Sequence, residues 1–379
     1  MSVSISNQTL ALLEKKALEL GFEYFGTLKV AASQSIEIYE QWLEKGYAGN
    51  MDYLHRHAAL KTDVRHLLPE ARSIIVLGMN YNTIEGKRNV THDPACGVIS
   101  RYALGDDYHQ IVHEKLKKFK QIIEGCIDGS VQVRPCVDSA PILEREYAQH
   151  AGIGWIGKHS GLIHGKEGSW FFLAEVLIDL DLPEKKMRVP GSCGSCTRCI
   201  DICPTQAIVA DRTIDSRLCI SYLTIELKGA IPVELRSKMG NLIFGCDLCQ
   251  DICPWNNEAK LSTEPQFKAR PDFLETDLKK WMGLSQKEFS KLFKKSPVKR
   301  AKRRGLLRNI AVALGNWGKA EAIPALQKAL HDEEVLIRRH AAWALGQIRH
   351  TQSQKILEEA LHHETHSDVQ EEIRNALRG

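Results

Sequence analysis

The stretch Cys193-Gly-Ser-Cys196-Thr-Arg-Cys199-Ile-Asp-Ile-Cys203-Pro204 decides how this chain is read. Its spacing, C-x2-C-x2-C-x3-C-P, gives three thiolates to one cubane cluster and carries the fourth away to a second cluster. The proline steers the chain off the metal. A shorter version follows as Cys246-Asp-Leu-Cys249-Gln-Asp-Ile-Cys253-Pro254. A complete copy needs cysteine at 243, where Ile243 stands, and Cys219 between the motifs is the replacement. The cross-over rule then yields two ligand sets. One is Cys193, Cys196, Cys199 and Cys253; the other is Cys203, Cys219, Cys246 and Cys249. Of the 11 cysteines, this leaves Cys96, Cys126 and Cys136, read as small packing residues. The competing reading is a pair of four-thiolate zinc sites. Zinc modules pair C-x2-C with C-x2-C and lack the third close cysteine and the C-P ending, so spacing favours two [4Fe–4S] clusters.

Around this ferredoxin-like module, 379 residues leave room for two further domains. A hydrophobic share of 43% and a charged share of 26% exclude a disordered or collagen-like chain. The start, Met1-Ser-Val-Ser-Ile-Ser-Asn-Gln, has no basic segment followed by an apolar core. No apolar run reaches the roughly 18 residues of a membrane span. The expected location is the cytoplasm, where thiols stay reduced and a cysteine cluster means metal or catalysis.

Upstream, residues 1–185 alternate helical and strand-like patterns. Leu10, Leu12, Leu13, Ala17 and Leu20 fit an amphipathic first helix, and Val112, Leu116, Phe119 and Ile123 mark another helix face. Ile74-Ile-Val-Leu-Gly-Met, Val131-Gln-Val-Arg-Pro-Cys-Val and Trp170-Phe-Phe-Leu-Ala-Glu-Val-Leu-Ile read as strands, and Asp138-Ser-Ala-Pro as the start of a helix. This predicts an α+β, or α/β-like, domain. Residues 186–283 hold the two-cluster module. From 284 to 379 the pattern is helical only. Arg308-Asn-Ile-Ala-Val-Ala-Leu-Gly and Arg339-His-Ala-Ala-Trp-Ala-Leu-Gly match at a separation of 31 residues, with a weaker copy ending in Glu372-Ile-Arg-Asn-Ala-Leu. That periodicity predicts an all-α, HEAT-like repeat domain.

Weaker signals are weighed by context. Gly152-Ile-Gly154-Trp-Ile-Gly157 matches a dinucleotide turn, but it follows a helix instead of a strand, so turn-shaping or close approach to another ligand is preferred. His109 and His113 stand four apart with no glutamate beside them, so a surface or core role is assigned in place of a metal pair. Lys294, Lys295, Lys299, Arg300, Lys302, Arg303, Arg304 and Arg308 form a run without acidic residues. Residues from 284 onward carry 18 basic and 11 acidic side chains, a balance of +7, which leaves −3 for residues 1–283 out of a net +4. A basic repeat on a mildly acidic redox portion favours a phosphate grip over a merely solvated linker.

Together with the displaced cysteine, Ile99-Ser-Arg-Tyr-Ala-Leu-Gly-Asp-Asp-Tyr-His, Val137-Asp-Ser-Ala-Pro-Ile-Leu-Glu, Gly154-Trp-Ile-Gly-Lys and Cys219-Ile-Ser-Tyr-Leu-Thr-Ile-Glu resemble the epoxyqueuosine reductase family over nearly the whole chain. The resemblance implies an oxidoreductase that converts epoxyqueuosine to queuosine at the wobble position of tRNA, the final step of queuosine biosynthesis. It implies cobalamin beside the two [4Fe–4S] clusters, in an N-terminal cobalamin-binding domain, and kinship with reductive dehalogenases. The absence of Asp-x-His-x-x-Gly is compatible with a cobalt lacking a histidine lower ligand.

The implied general acid falls on Asp138, which needs burial or a negative neighbour to stay protonated near neutral pH; the bland role for it is a helix N-cap. Arg101, Asp138, Lys158, His159, Ser160, Ser221 and Tyr222 lie in matching segments as cofactor-binding residues. Leu104 and His159 depart from the family's usual aromatic and asparagine. The expected tRNA contacts are Lys299, Arg300, Arg303, Arg304, Arg308, Arg338 and Arg339, mainly to phosphate and shape in the anticodon stem-loop. A low-potential electron donor is implied, and a monomer is expected. The alternatives are a corrinoid reductive dehalogenase acting on a small organohalide, and a ferredoxin-type electron-transfer protein docked through HEAT repeats.

Overall fold

The computed structural model describes residues 5–85, 93–127, 129–187 and 190–378. The N-terminal helix α1 (Asn7–Glu19) starts at Ser6, whose hydroxyl accepts from Thr9 N–H at 3.1 Å. It buries Leu10, Leu13 and Ala17, while Leu12 stays exposed. Four strands build the main sheet: β1 (Tyr24–Lys29), β2 (Ser73–Asn80), β3 (Val133–Val137) and β4 (Phe171–Ile178), in the order β1-β2-β4-β3. Every neighbouring pair is antiparallel. The domain is therefore α+β, and the α/β-like alternative does not apply.

Strands β2 and β4 are buried along nearly their whole length because both sheet faces are covered. Ile75, Leu77, Ala174, Val176 and Ile178 face helix α2 (Tyr108–Gly125), which brings Val112, Leu116, Phe119 and Ile123. Ile74, Val76, Leu173 and Leu177 face helix α3 (Glu144–His150). The expected helix at Asp138 is displaced. Residues 138–143 are a loop, α3 begins six residues later, and Leu143 occupies its N-cap without a side-chain bond. Asp138 is no cap.

The glycine motif is structural. Gly152 has φ +71°, and a Cβ there would lie 1.7 Å from Met187 O; at Gly154 it would lie 2.1 Å from Ile163 O. The backbone packs where side chains cannot fit.

Two short helices, α4 (Arg198–Asp201) and α5 (Leu248–Asp251), carry the cysteine motifs and pack on each other. The C-terminal part stacks helix pairs as the repeat predicts: α6 (Lys302–Trp317) packs on α8 (Val335–Ile348), and α8 on α10 (Ser367–Arg378), with α7 (Ile323–Ala329) and α9 (Thr351–His363) alongside. No helix among the described residues is long and apolar enough to cross a membrane.

The boundary expected at residue 284 is not a boundary in the core. One hydrophobic cluster joins Ile99 and Leu104, the 220–244 segment, Phe273 and the repeats through Ile373. Polar anchors reinforce it. Asn309 donates to Thr224 O and Ile243 O at 2.9 and 2.8 Å, and Ile231 N–H donates to buried His340 at 3.1 Å. Arg236, fully buried, pairs with Glu372 at 2.8 Å.

Arg308 is also fully buried, and its guanidinium donates to Leu223 O, Leu227 O and Gly229 O. This corrects its assignment to tRNA: it is a bolt between repeat and module, shielded from any phosphate. Arg308→Ala leaves these carbonyls short of a donor and opens a cavity, so it is expected to cost about 3 kcal/mol or more. A fall in the urea midpoint at unchanged m-value checks this.

Candidate functional site

Asp138 follows β3 directly, at the end of an outer strand of the sheet, with φ +39°. A left-handed backbone at a non-glycine residue is uncommon, and such strain is often kept at working sites. Its carboxylate is half-exposed and accepts two hydrogen bonds on Oδ2, from His109 Nε2 at 2.6 Å and Tyr108 Oη at 2.9 Å. His109 and Tyr108 sit in the first turn of α2. Asp107 caps that helix and accepts at 2.7 Å from His109 Nδ1. Tyr108 stacks on Phe172 of β4 at 4.0 Å and 7°, which fixes the whole turn against the sheet.

The imidazole thus lies between two carboxylates. Burial opposes its charge, but the hydrogen bonds and charges of Asp107 and Asp138 outweigh that and push it up to about 9. Asp138 moves the other way. Burial raises it, yet the hydrogen bond and charge of His109, with Tyr108, hold it below the ordinary carboxylate value. This corrects two expectations. His109 is no bystander in surface or core, and the proton near neutral pH rests on His109 instead of on a carboxyl raised by burial. His113, four residues on, is exposed. The signal for His109 was available locally: a helix-capping aspartate two residues before a histidine places carboxylate and imidazole within one bond.

Asp138 borders a cavity of about 310 Å³ walled by Tyr81, Tyr102, Tyr108, Phe171 and Phe172. Cys249 and Gln250 of α5 open onto the same space, as do His159 and Glu144. The His159 ring accepts from Gly161 N–H at 3.1 Å through Nδ1, so Nε2 carries the hydrogen. Nε2 is buried and has no partner among the described residues. Burial lowers the ring to about 4, so it is a neutral donor. Flat aromatic walls and an unspent donor suit a large, amide-rimmed planar ligand.

The other expected cofactor residues are mostly engaged elsewhere. Arg101 is buried, pairs with Asp251 at 2.9 Å, bonds Asn82 and Ile84 O, and lies over Trp170; it braces the helix that carries Cys249. Tyr222 is buried and bonded to Asn50 at 2.9 Å, turned toward the 46–51 loop. Ser221, beside it, is half-buried. Lys158 faces Asp211 at 3.4 Å. Ser160 bonds Arg212 O, and its own carbonyl accepts from Arg145.

The eight cysteines of the motifs gather in two groups. Burial first, then Cys193, Cys253 and Cys196, push the Cys199 thiol up to about 11. Burial first, then Cys219 and Cys203 among its neighbours, raise Cys246. Cys249 is raised by burial, Cys246 and Cys219, and it also feels Cys199 of the other group, so the groups adjoin. Several sulfurs accept backbone amides: Cys203 from Ala207 at 3.3 Å, Cys253 from Trp255 and Asn256, and Cys219 from Tyr222 and Ser221. Crowded thiols, two buried and six partly so, with amides aimed at them form a donor set suited to iron bound by thiolates. Cys193 and Cys196 are half-exposed, whereas Cys249 reaches the cavity. The arrangement runs from surface to pocket.

The expected RNA contacts divide sharply. Arg303 pairs with Asp332, Arg338 with Glu364, and Arg339 with Glu372 and Asp368, so these three are largely committed to intramolecular pairs. Arg300 pairs with Glu226 yet stays 53% exposed. Lys294, Lys295, Lys299 and Lys302 are exposed, and Arg304 is half-buried. This stretch packs beside the turn that carries His109: Asp107 N–H donates to Lys295 O at 2.8 Å, and the Arg300 charge is felt at Asp138.

Residues 61–139 match the family model described as "Epoxyqueuosine reductase QueG, DUF1730", residues 192–256 a 4Fe-4S double cluster binding domain, and residues 300–378 HEAT repeats. The chain is 44% identical over 343 residues to the epoxyqueuosine reductase of Shigella dysenteriae serotype 1 (strain Sd197), which spans 90% of each chain. It is 43% identical over 343 residues to that of Escherichia coli (strain K12), again across 90% of each. Its fold is similar to a crystal structure of epoxyqueuosine reductase with a tRNA-Tyr epoxyqueuosine-modified tRNA stem loop (TM-score 0.90, 28% identity, 98% of each chain). It is also similar to a Bacillus subtilis epoxyqueuosine reductase solved with its catalytic aspartate loop swung out of the active site (TM-score 0.88, 27% identity, 98% of each chain).

Proposed function

The chain belongs to the epoxyqueuosine reductase family and is an oxidoreductase, and from that premise we propose that it removes the epoxide oxygen of epoxyqueuosine at the wobble position of tRNA. The observation that carries this reading is a single cavity shared by Cys249 and Asp138, with Asp138 bound to His109. An electron route and a proton source meet there.

Two [4Fe–4S] clusters, on Cys193, Cys196, Cys199, Cys253 and on Cys203, Cys219, Cys246, Cys249, would pass electrons one at a time from the half-exposed end to the cavity. Cobalamin fits the aromatic walls, with the His159 Nε2–H free to meet an amide of its rim, and when bound it supplies a strongly reducing cobalt. The remaining chemistry is the protein's. The departing oxygen is a poor leaving group as an alkoxide, so it must be protonated as the C–O bond weakens. Asp138 reaches the cavity and is fed by the His109 imidazolium. Asp107 holds Nδ1–H and keeps Nε2 aimed at Asp138. The stacked Tyr108 donates the second bond and orients the carboxylate. The swung-out aspartate loop of the Bacillus subtilis relative supports placing the acid on the 138–143 loop.

The basic stretch Lys294–Arg304, packed beside Asp107, is the proposed grip on the anticodon stem-loop, without Arg308. A loop presents its base unpaired, which makes turning it into the pocket cheap. With about six phosphate contacts, affinity is expected to fall by roughly 10³-fold between about 50 and 200 mM salt. Lys299→Glu with Lys302→Glu should weaken binding and flatten that slope; salt-insensitive binding in a filter or polarisation assay contradicts the grip. The overall test incubates reconstituted protein, cobalamin and a low-potential reductant with epoxyqueuosine-containing tRNA and follows nucleoside mass. Loss of one oxygen is the expected result; an unchanged nucleoside overturns the reading.

A further inference from the structure

Glu175 stands in the middle of β4, one of the two inner strands, with 1% of its surface exposed. It lies opposite Val76 and Cys136 on the neighbouring strands, on the face shared with Leu173 and Leu177. An acid in that position is unexpected, and its Oε1 has no hydrogen-bond partner among the described residues. Above it packs α3, whose first residue, Glu144, lines the cavity with Asp138. Lys61 approaches both carboxyls, but its ammonium is turned to Ile142 O at 3.1 Å. Arg145, next to Glu144, is turned to Ser160 O at 2.5 Å. An ionised carboxylate buried this way, with an unbonded oxygen, is too costly to persist, so Glu175 keeps a proton.

Removing an epoxide oxygen as water breaks both C–O bonds, forms the second C–C bond of the alkene, and takes two electrons and two protons. Electrons come from the clusters, and the His109–Asp138 pair holds one proton. We propose that Glu175 keeps a second proton, and that Glu144, which lines the cavity with Asp138, passes it on to recharge Asp138 within the same turnover. This rests on the site being an epoxide reductase.

The direction of titration agrees. Burial first, then the Asp138 charge, push Glu144 up to about 7, against Arg145 and Lys61. Burial first, then Glu144, raise Glu175 well above an ordinary glutamate, with Asp138 adding and Lys61 opposing. Lys61 is itself lowered by burial. Cys136 and Tyr147, which also face Glu175, are both raised by burial and stay neutral throughout this range. The Glu175 proton is therefore retained at pH values where an ordinary glutamate is ionised.

The test uses the full, reconstituted protein in two arms. Infrared spectra at about pH 8, far above the ordinary glutamate value of about 4.3, should show a protonated-carboxyl band that disappears in Glu175→Gln. In single-turnover reduction, Glu144→Gln should be slower by roughly 10²-fold at about pH 8 and recover toward wild type near pH 6, where solvent protons substitute. Absence of the wild-type band, its survival in Glu175→Gln, or a wild-type pH profile in Glu144→Gln overturns the proposal. The infrared arm needs no substrate, so it separates absence of the Glu175 proton from failure of the epoxide reading.

Discussion

Asp138→Asn is expected to lower turnover by on the order of 10²–10⁴-fold while leaving tRNA binding and cofactor uptake in place. Asparagine keeps the volume and the bond to Tyr108, but it cannot pass a proton to the departing oxygen. It also removes one of the two carboxylates that hold the His109 charge, so the imidazole, now up at about 9, falls back toward 6.5. Wild-type activity should consequently have an alkaline limb near pH 9, where His109 loses its proton. The same shift contributes stability that is complete below about pH 6.5 and lost as pH rises through about 9. His109→Gln should damage turnover almost as much as Asp138→Asn, and the double variant scarcely more, because the two act as one unit. Single-turnover rates across pH, with tRNA affinity measured in parallel, read all of this. Wild-type rates in Asp138→Asn would remove it as the acid.

Cys249→Ser is the second large effect. Its sulfur belongs to the group beside the cavity, feels Cys199 of the other group, and lies on a helix braced by Arg101 through Asp251. The variant should keep about four of eight irons per chain, lose the signal of one reduced cluster, and show no turnover even with cobalamin and tRNA bound. Iron analysis and electron paramagnetic resonance of the reduced protein measure it. Full iron content with normal turnover would falsify the assignment of Cys249 to a cluster. If the same sites instead held zinc, the protein as isolated would be colourless.

The cysteine motifs were legible because their logic is local: spacing alone says which sulfurs share a turn. The repeats were legible for the same reason, through helical periodicity. Pairing direction was not, since an alternating or fully buried strand looks alike in parallel and antiparallel sheets, and only the register of β2 on β4 distinguishes them. The proposed proton chain was half legible. Asp138 stands out in the sequence, but His109 is 29 positions away and meets it only because α2 lies across the sheet. The basic run misled most. Charge in a sequence does not reveal burial, and Arg308 looks no different from Lys302 until three carbonyls are found around it.

The pairing of Arg236 with Glu372 sets an order of events. Chains fold as they leave the ribosome, at roughly 5–20 residues per second. Both cysteine motifs emerge more than a hundred residues ahead of Glu372. Until that glutamate arrives, the Arg236 guanidinium lacks its buried carboxylate partner, and the core that backs Cys219 and Cys246 is missing its last wall. For several seconds the ligand loops exist without their finished seat. Iron and sulfide delivered in that interval would meet an open scaffold until α10 packs down on it.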